Sequence, residues 1–170
     1  ALIGIPYSYT SPLAYIRTNI EGTYNILESA KNLGLEQVLI TSTSETYGTA
    51  QYTPIDEDHP LVGQSPYSAS KIAADQLAIS YYKSFGLPVK IVRPFNNYGP
   101  GLDINDKRVI SDFARNILND ENITLLSDGR ATRTFCYVAD AICGYLKALV
   151  KGRSGEPYNI GTDTPEISMK

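Results

Sequence analysis

The chain has 170 residues, of which 42% are hydrophobic, enough for one domain with a substantial apolar core. Its formal net charge of −3 at pH 7 favours neither nucleic acid nor an anionic membrane surface as a partner. No apolar run approaches the ~20 residues of a membrane-spanning helix, and the start of the chain lacks the charged residues of a signal peptide. We therefore expect a cytoplasmic location.

The cysteine and histidine content predicts no metal site. Cys136 and Cys143 are the only cysteines, they do not form a Cys-x-x-Cys pair, and we expect both to be reduced and partly buried. The single His59 stands in a stretch rich in Asp and Glu with no second His or Cys beside it. The sequence therefore predicts a solvated loop histidine.

The first half of the chain alternates loops, helices and a buried strand. Residues 1–10 show no clear period and are predicted to be a loop, and a long helix is predicted from Ser11-Pro12 to near Gly34. The apolar run before Thr43 predicts a buried strand from Glu36 to Thr43, and the stretch 49–63, rich in Pro, Asp and Glu, is predicted to be a loop.

The second half begins with a helix predicted from Pro66 to about Phe85, with Gly86 and Pro88 as its stop. The remaining predicted elements are a strand at 89–94, a helix at 108–118, a short strand at 123–126, a helix at 138–150 and a last short strand at 158–161. Strand, helix and strand in the middle of the chain fit a right-handed βαβ unit. The pattern thus predicts an α/β fold with a parallel sheet.

Two polar segments follow the predicted buried strand and begin the helix predicted from Pro66. In a parallel sheet, such positions border the crevice at the carboxyl ends of the strands. Thr43 and Glu45 follow the apolar run that ends at Ile40, which is how a buried strand delivers polar groups at its carboxyl end. Tyr67 and Lys71 stand one helical turn apart. An ammonium group one turn from a phenol lowers the phenol pKa from about 10, so such a Tyr could act as a general base toward an alcohol.

Strand-borne hydroxyls followed by Tyr-x-x-x-Lys on a helix resemble the active site of the extended short-chain dehydrogenase/reductase family, the NAD-dependent nucleotide-sugar epimerases and dehydratases. The resemblance implies a Rossmann-like fold, here its second half. It implies that residues 1–95 form the C-terminal half of a dinucleotide-binding domain and residues 96–170 mainly a substrate-binding portion. The family's Gly-x-x-Gly-x-x-Gly loop does not occur, so the chain resembles a fragment of a longer enzyme.

The resemblance assigns roles to single positions. Thr43 would hydrogen-bond the reacting sugar oxygen, Tyr67 would be the base, and Lys71 would hold the nicotinamide ribose and lower the pKa of Tyr67. Four further residues match family positions: Asn19 and Phe95 beside the cofactor, Asn96 at the substrate, and Arg133 at the diphosphate. Arg108 lies in a stretch, 105–113, that resembles the substrate-binding stretch of UDP-glucuronate decarboxylases. Thr134 departs from the family, which usually has Asp after that arginine.

The family's chemistry is a transient oxidation of the sugar at C4, and Glu45 bears on the reaction of the resulting 4-keto sugar. The 4,6-dehydratases carry a glutamate there to take the C5 proton, the decarboxylases also have Ser-Glu, and the 4-epimerases generally have a small residue. The expected order is 4,6-dehydratase, then UDP-glucuronate decarboxylase, then 4-epimerase. Glu45 could instead cap the turn at Tyr47-Gly48.

An alternative from another class is a catalytically inactive fragment that keeps the dimerisation helices. The family dimerises through a four-helix bundle, which corresponds here to the helices at 12–33 and 66–85. The resemblance therefore implies NAD as cofactor, a nucleotide-diphosphate sugar as substrate and a homodimer through those helices.

Overall fold

The computed structural model of the chain describes residues 1–106, 108–125 and 128–168. These residues form two compact units. The first consists of Ala1–Pro94 with Cys143–Ile160, and the second of Phe95–Ile142 with Gly161–Lys170. Across the described part of the chain, no helix has both the length and the apolar composition that a membrane span requires.

The helices are α1 (Ile5–Thr10), α2 (Pro12–Tyr15), α3 (Gly22–Asn32), α4 (Pro66–Phe85), α5 (Val109–Leu118) and α6 (Val138–Lys151). A π-helical segment (Ile16–Glu21) joins α2 to α3, and a 3₁₀ turn (Ser44–Thr46) follows the first strand. The strands are β1 (Val38–Thr41), β2 (Val89–Pro94), β3 (Asn97–Tyr98), β4 (Thr132–Arg133), β5 (Cys136–Tyr137), β6 (Pro157–Ile160) and β7 (Ile167–Ser168).

A parallel three-stranded sheet, in the order β1-β2-β6, is the frame of the first unit. Val38 is in register with Val89, and Ile91 with Pro157. All strands are parallel, so their carboxyl ends lie at one edge of the sheet, where polar residues can gather. The prediction of an α/β fold with a parallel sheet is confirmed.

The helices α3 and α4 cover one face of this sheet. They bury their apolar faces against the strands, which is the main source of stability in such a layered unit. The buried core consists of Leu27, Ala30, Val38, Ala78, Tyr81, Leu87, Val89 and Ile91. Because Val38 points to this face, the alternation of the strand places Thr41 on the other face, toward Tyr145 of α6.

The helix α4 begins and ends where its sequence signals predict. Ser65 is the N-cap: its hydroxyl accepts the backbone N–H of Ser68 at 3.0 Å, and the Ser68 hydroxyl accepts the N–H of Ser65 at 2.9 Å. Pro66 occupies the first helical position, and Gly86 ends the helix. These caps fix the start of α4, the helix on which Tyr67 and Lys71 lie.

The second unit contains two small two-stranded sheets and α5. The strands β3 and β5 pair in parallel, and β4 and β7 pair antiparallel. The cap of α5 differs from that of α4, because Arg108 at its N-cap makes no side-chain hydrogen bond to the helix. The predicted substrate-binding role of this part of the chain stays a prediction.

Several sequence-based predictions of local structure are wrong. Residues 5–10, predicted to be loop, form α1, and the predicted long helix is interrupted by the π-helical segment. The described residues 123–125 of the predicted strand at 123–126 form neither helix nor strand, and they are exposed, without the partner strand that an apolar run needs. Leu126 lies outside the described residues.

Two single-residue predictions are also wrong. His59 is only 2% exposed, because its ring packs against Tyr47 and Tyr52, with centroid distances of 5.4 Å and 4.7 Å. Its Nε2 accepts the backbone N–H of Gln51 at 2.9 Å, and its other ring nitrogen lies 3.0 Å from the carbonyl of Pro60. Cys143 is exposed rather than partly buried.

Candidate active site

Thr43 begins the turn at the carboxyl end of β1. Its side-chain oxygen accepts the backbone N–H of Glu45 at 3.2 Å, and its carbonyl accepts the hydroxyl of Thr46 at 2.7 Å. The Thr43 side chain is therefore the N-cap of the 3₁₀ turn, the arrangement for which Thr is well suited. Glu45, at the middle of this turn, is exposed.

Lys71 of α4 reaches the same end of β1. Its Nζ donates a hydrogen bond of 2.6 Å to the carbonyl of Thr41, although the residue is only 6% exposed. Burial lowers the pKa of Lys71 from its ordinary value, and the negative charge of Asp75, one turn further along α4, partly offsets this effect. Lys71 thus lies beside the strand end that carries Thr43.

Tyr67, one turn before Lys71, is 7% exposed. Its ring meets the ring of Tyr15 edge to face, with 6.2 Å between the centroids. The Tyr15 hydroxyl in turn donates a hydrogen bond of 2.5 Å to the carbonyl of Gly4. The packing of Tyr67 therefore depends on α2 and on the first residues of the chain.

Asn19 of the π-helical segment is buried and committed to protein partners. Its Oδ1 accepts the N–H of Leu2 at 2.8 Å, and its Nδ2 donates to the carbonyl of Leu2 at 3.0 Å and to the hydroxyl of Ser70 at 2.9 Å. Ser70 then donates to the carbonyl of Tyr67 at 2.7 Å. Asn19 thereby supports the helix that carries Tyr67, and its predicted contact with a cofactor stays a prediction.

A buried polar network that the sequence pattern did not indicate lies next to these residues. Arg93 of β2 binds both carboxylate oxygens of Asp75, at 2.9 Å and 3.0 Å, and also donates to the hydroxyl of Tyr47 at 2.9 Å. Tyr47 donates in turn to Oδ1 of Asn159 at 2.7 Å. A charged residue inside an apolar strand was the available signal, since an arginine there needs a partner of opposite charge.

The remaining predicted site residues lie in the second unit. Asn96 donates from Nδ2 to the carbonyl of Thr134 at 3.0 Å, a bond that any residue at position 134 could accept. Arg108 is exposed and paired with Asp106, and Arg133 is exposed on β4. Phe95 packs close to Gly161, whose added Cβ would lie 3.1 Å from that of Phe95. Lys107, inside the predicted stretch 105–113, lies outside the described residues.

A small cleft opens in the second unit. Asn96 and Arg108 line it together with Phe135. Within the described residues, the side-chain oxygen of the neighbouring Asn97 is buried without a hydrogen-bond partner. The structure therefore brings the two predicted substrate residues Asn96 and Arg108 to one cleft.

The chemistry of Lys71 fits the ribose of a dinucleotide. An ammonium group has three donors, and within the described residues Thr41 is the one hydrogen-bond acceptor that Lys71 contacts, so two donors remain for a diol. A glycine-rich loop that would hold a pyrophosphate does not occur in the sequence. The residues present thus suit the nicotinamide side of such a cofactor.

Comparison with known proteins places this geometry in a family. Residues 1–161 match the model of the NAD dependent epimerase/dehydratase family. The chain is 39% identical over 160 residues to UDP-glucuronic acid decarboxylase 3 of Arabidopsis thaliana, an alignment that covers 91% of the chain and 46% of that protein. The chain spans about half the length of the curated relatives it matches.

Two solved structures have nearly the same backbone. A dTDP-glucose 4,6-dehydratase from Streptomyces venezuelae, solved with NAD and TYD bound, has a TM-score of 0.92 at 33% identity, covering 99% of this chain and 52% of that one. A UDP-glucuronic acid 4-epimerase from Bacillus cereus, in complex with UDP-glucuronic acid and NAD, has a TM-score of 0.91 at 31% identity, covering 99% and 54%. The similar proteins thus include all three predicted reaction types.

Proposed function

Because the chain belongs to the NAD dependent epimerase/dehydratase family, we propose that its protein modifies a nucleotide-diphosphate sugar by transient oxidation at C4, as a 4,6-dehydratase. The observation that carries this proposal is the hydrogen bond from Lys71 to the carbonyl of Thr41. It brings the helix with Tyr67 and Lys71 to the end of the strand that carries Thr43. These are the residue types that proton removal from a sugar hydroxyl requires.

Each of these three residues has a separate task in the proposed reaction. Tyr67 takes the proton of the C4 hydroxyl, and the nearby charge of Lys71 favours the phenolate that does so. Thr43 holds the C4 oxygen by a hydrogen bond, and its own position is fixed by the turn that it caps. NAD, when bound, supplies the hydride acceptor at C4 and later returns the hydride. Lys71 has two donors left for the ribose of the cofactor.

Glu45 supports the dehydratase among the possible reactions. Thr43 and backbone carbonyls hold the turn, so within the described residues the Glu45 carboxylate makes no capping bond, and it is exposed. A free carboxylate at this point could take the proton at C5, which the C4 ketone acidifies. The enolate that results expels the C6 hydroxyl group, which leaves as water after it takes up a proton from the protonated Glu45 or from the solvent.

The UDP-glucuronate decarboxylase is the second candidate, favoured by the 39% identity to such an enzyme. There the C4 ketone alone activates the carboxyl group at C5, which leaves as CO₂. The 4-epimerase is third, because rotation of the keto sugar needs no carboxylate at Glu45. A catalytically inactive chain that keeps only the dimerisation helices is the remaining alternative.

A homodimer through the helices at 12–33 and 66–85 is proposed from their surface. Together these helices expose large apolar side chains, an arrangement common at helix-bundle interfaces. The exposed residues are Leu13, Ile16, Tyr24, Ile26, Tyr82 and Phe85. A cytoplasmic location also stays a prediction.

The first test is a titration of NAD into the chain, and into the chain joined at residue 1 to the N-terminal half of a dTDP-glucose 4,6-dehydratase. The form that binds NAD is then given dTDP-glucose and UDP-glucuronate, and the products are identified. A 4-keto-6-deoxy sugar supports the dehydratase, and CO₂ release supports the decarboxylase. Tyr67→Phe is the control, since it should bind NAD but lose turnover. Full turnover in Tyr67→Phe would contradict the proposed base.

A further inference from the structure

We propose that Arg93 is a positioning residue: it joins α4 to the turn after β1 and so fixes Thr43 and Glu45 against the helix that carries Tyr67 and Lys71. The inference rests on the proposed function for its catalytic consequence. The link itself is a property of the contacts of Arg93 with Asp75 and Tyr47, which can be tested without substrate.

On the helix side, Arg93 holds α4 by a fork-shaped ion pair. Nε and one terminal nitrogen of the guanidinium bind the two carboxylate oxygens of Asp75 at 2.9 Å and 3.0 Å. Such a planar, two-bond pair fixes orientation as well as distance. Asp75 lies one turn after Lys71, so this ion pair fixes the part of α4 that presents Lys71.

On the other side, Arg93 holds the residue after the turn. Its second terminal nitrogen donates to the Tyr47 hydroxyl at 2.9 Å, and its guanidinium carbon lies 5.1 Å from the centre of the Tyr47 ring. The backbone N–H of Tyr47 closes the turn on the carbonyl of Ser44 at 3.0 Å. A shift of Tyr47 would therefore move the turn that Thr43 begins.

The Tyr47 hydroxyl both accepts and donates a hydrogen bond. It accepts from Arg93 and donates to Asn159, whose own N–H and Nδ2 bind the loop at Glu57 and Ile55, at 2.7 Å and 3.1 Å. Burial raises the pKa of Tyr47, so the phenol remains a donor across the physiological pH range. The three residues thus form a directed chain from β2 to β6.

Stability alone is a weak reason for this network. A fully buried ion pair is often no more stable than a well-packed apolar pair of the same volume, because desolvation of two charges offsets their attraction. What the charged pair adds is a fixed geometry, which apolar side chains do not supply. That geometry connects the two segments on which the proposed catalytic residues lie.

A second buried tyrosine provides a matched control. Tyr81, also on α4, is 5% exposed, and its hydroxyl donates 2.5 Å to the carboxylate of Glu28 on α3. Like Tyr47, it is a buried phenol bonded to a charged side chain. Unlike Tyr47, it contacts neither the turn nor Arg93 in any described hydrogen bond. Loss of its hydroxyl should therefore leave the turn unchanged.

The test compares Tyr47→Phe with Tyr81→Phe by amide hydrogen exchange of the chain, followed by NMR. Tyr47→Phe should accelerate exchange at Thr46 and Tyr47 about tenfold, the effect of losing roughly one hydrogen bond, and should leave the β2 amides unchanged. Tyr81→Phe should leave the turn amides at the wild-type rate. Equal acceleration in both variants, or none in Tyr47→Phe, would overturn the proposal.

Turnover is measured in the form that binds NAD. Tyr47→Phe should lower kcat by about 10- to 100-fold, the size expected of a small misplacement of catalytic groups, with KM changed less than about twofold. Tyr81→Phe should keep both constants. An unchanged kcat in a Tyr47→Phe protein with accelerated turn exchange would also overturn the proposal. If the wild type acts on no nucleotide sugar, the proposed function fails, and exchange alone decides whether Arg93 holds the turn.

Discussion

Asp75 and Arg93 form an ion pair with two parallel hydrogen bonds in which the side chains are 0% and 2% exposed. The two residues are distant in sequence, on α4 and β2. The pair therefore connects the helix that carries Lys71 to the central strand of the parallel sheet. Water cannot reach either charge to solvate it, so the loss of one partner would leave the other as an unpaired buried charge.

Removal of one partner should be far more harmful than removal of both. Arg93→Met leaves a buried carboxylate and should lower the free energy of unfolding by about 3–5 kcal/mol. The double variant Asp75→Leu/Arg93→Met should recover most of that loss, since no unpaired charge remains. Urea unfolding of the wild type, both single variants and the double variant measures the coupling. If the double variant lost as much free energy of unfolding as the two single variants together, the two charges would not be coupled and the predicted recovery would be wrong.

Sequence signals within a few residues were sufficient to predict α4 and β2. Ser65, Pro66 and Gly86 predicted a helix from Pro66 to about Phe85, and the structure has α4 over the same residues. The predicted strand at 89–94 is β2. Helix caps and short apolar runs act within a few residues, so the positions of such elements can be predicted from the sequence alone.

The features that were missed have causes distant in the chain. The π-helical segment contains Asn19, which binds the backbone of Leu2, and no local pattern indicates that partner. His59 is buried by the ring of Tyr47, from the turn after β1, and by that of Tyr52, although the residues next to it in sequence are mostly polar. Arg93 and Asp75 were both visible as charges in otherwise apolar surroundings, but only the fold pairs them. The placement of Glu45, Arg108 and Arg133 as site residues stays a prediction.

The stability contributed by Lys71 should depend on pH with a defined sign. Burial lowers its pKa in the folded state, so between the folded and the ordinary pKa the unfolded chain binds more protons and stability rises with pH. The free energy of unfolding of the wild type relative to Lys71→Met should thus increase as pH rises toward about 10.4, by about 1.4 kcal/mol for each unit of pKa depression. If this difference in the free energy of unfolding fell as pH rose, the lowered pKa of Lys71 in the folded state would be contradicted.

Gly48 should be intolerant of any side chain. Its φ is +66°, and an added Cβ would lie 2.7 Å from the carbonyl oxygen of Val62. Gly34 has φ of +63° but no atom within 4 Å of such a Cβ, so it isolates the backbone effect. Gly34→Ala should cost about 1 kcal/mol, and Gly48→Ala about 1–3 kcal/mol more from the clash. Thermal unfolding measures the loss of stability in both variants. Equal losses would show that the backbone at Val62 can move away from the added Cβ without a cost in free energy.

The proposed homodimer should depend on the exposed apolar face of α3. Ile26 is 59% exposed there, and Ile142 of α6 is 53% exposed outside the proposed interface. Light scattering should give twice the chain mass for the wild type and for Ile142→Asp, whereas Ile26→Asp should be monomeric because a buried, unpaired charge is costly. A wild type that is monomeric at all concentrations, or a dimer lost equally in both variants, would contradict the proposed interface.

Glu45→Gln should separate the possible reactions. The amide cannot take the proton at C5, so in a 4,6-dehydratase formation of the 4-keto-6-deoxy sugar from dTDP-glucose should fall by about 10²–10⁴-fold, the usual contribution of a general base. Oxidation at C4 does not use this carboxylate, so reduced nicotinamide should still form and persist. Release of CO₂ from UDP-glucuronate should continue in a decarboxylase, since the C4 ketone alone activates that step.

The matched control for Glu45→Gln is Glu36→Gln, an exposed carboxylate just before β1 and therefore at the opposite end of the strand. It loses the same charge without touching the turn that Thr43 begins, so both activities should remain at the wild-type level. Undiminished dehydration by Glu45→Gln would show that another group takes the C5 proton. In that case the exposed carboxylate of Glu45 would have no chemical task, and Glu45 would no longer be a reason to prefer the dehydratase over the decarboxylase and the 4-epimerase; formation of the 4-keto-6-deoxy sugar alone would identify the reaction.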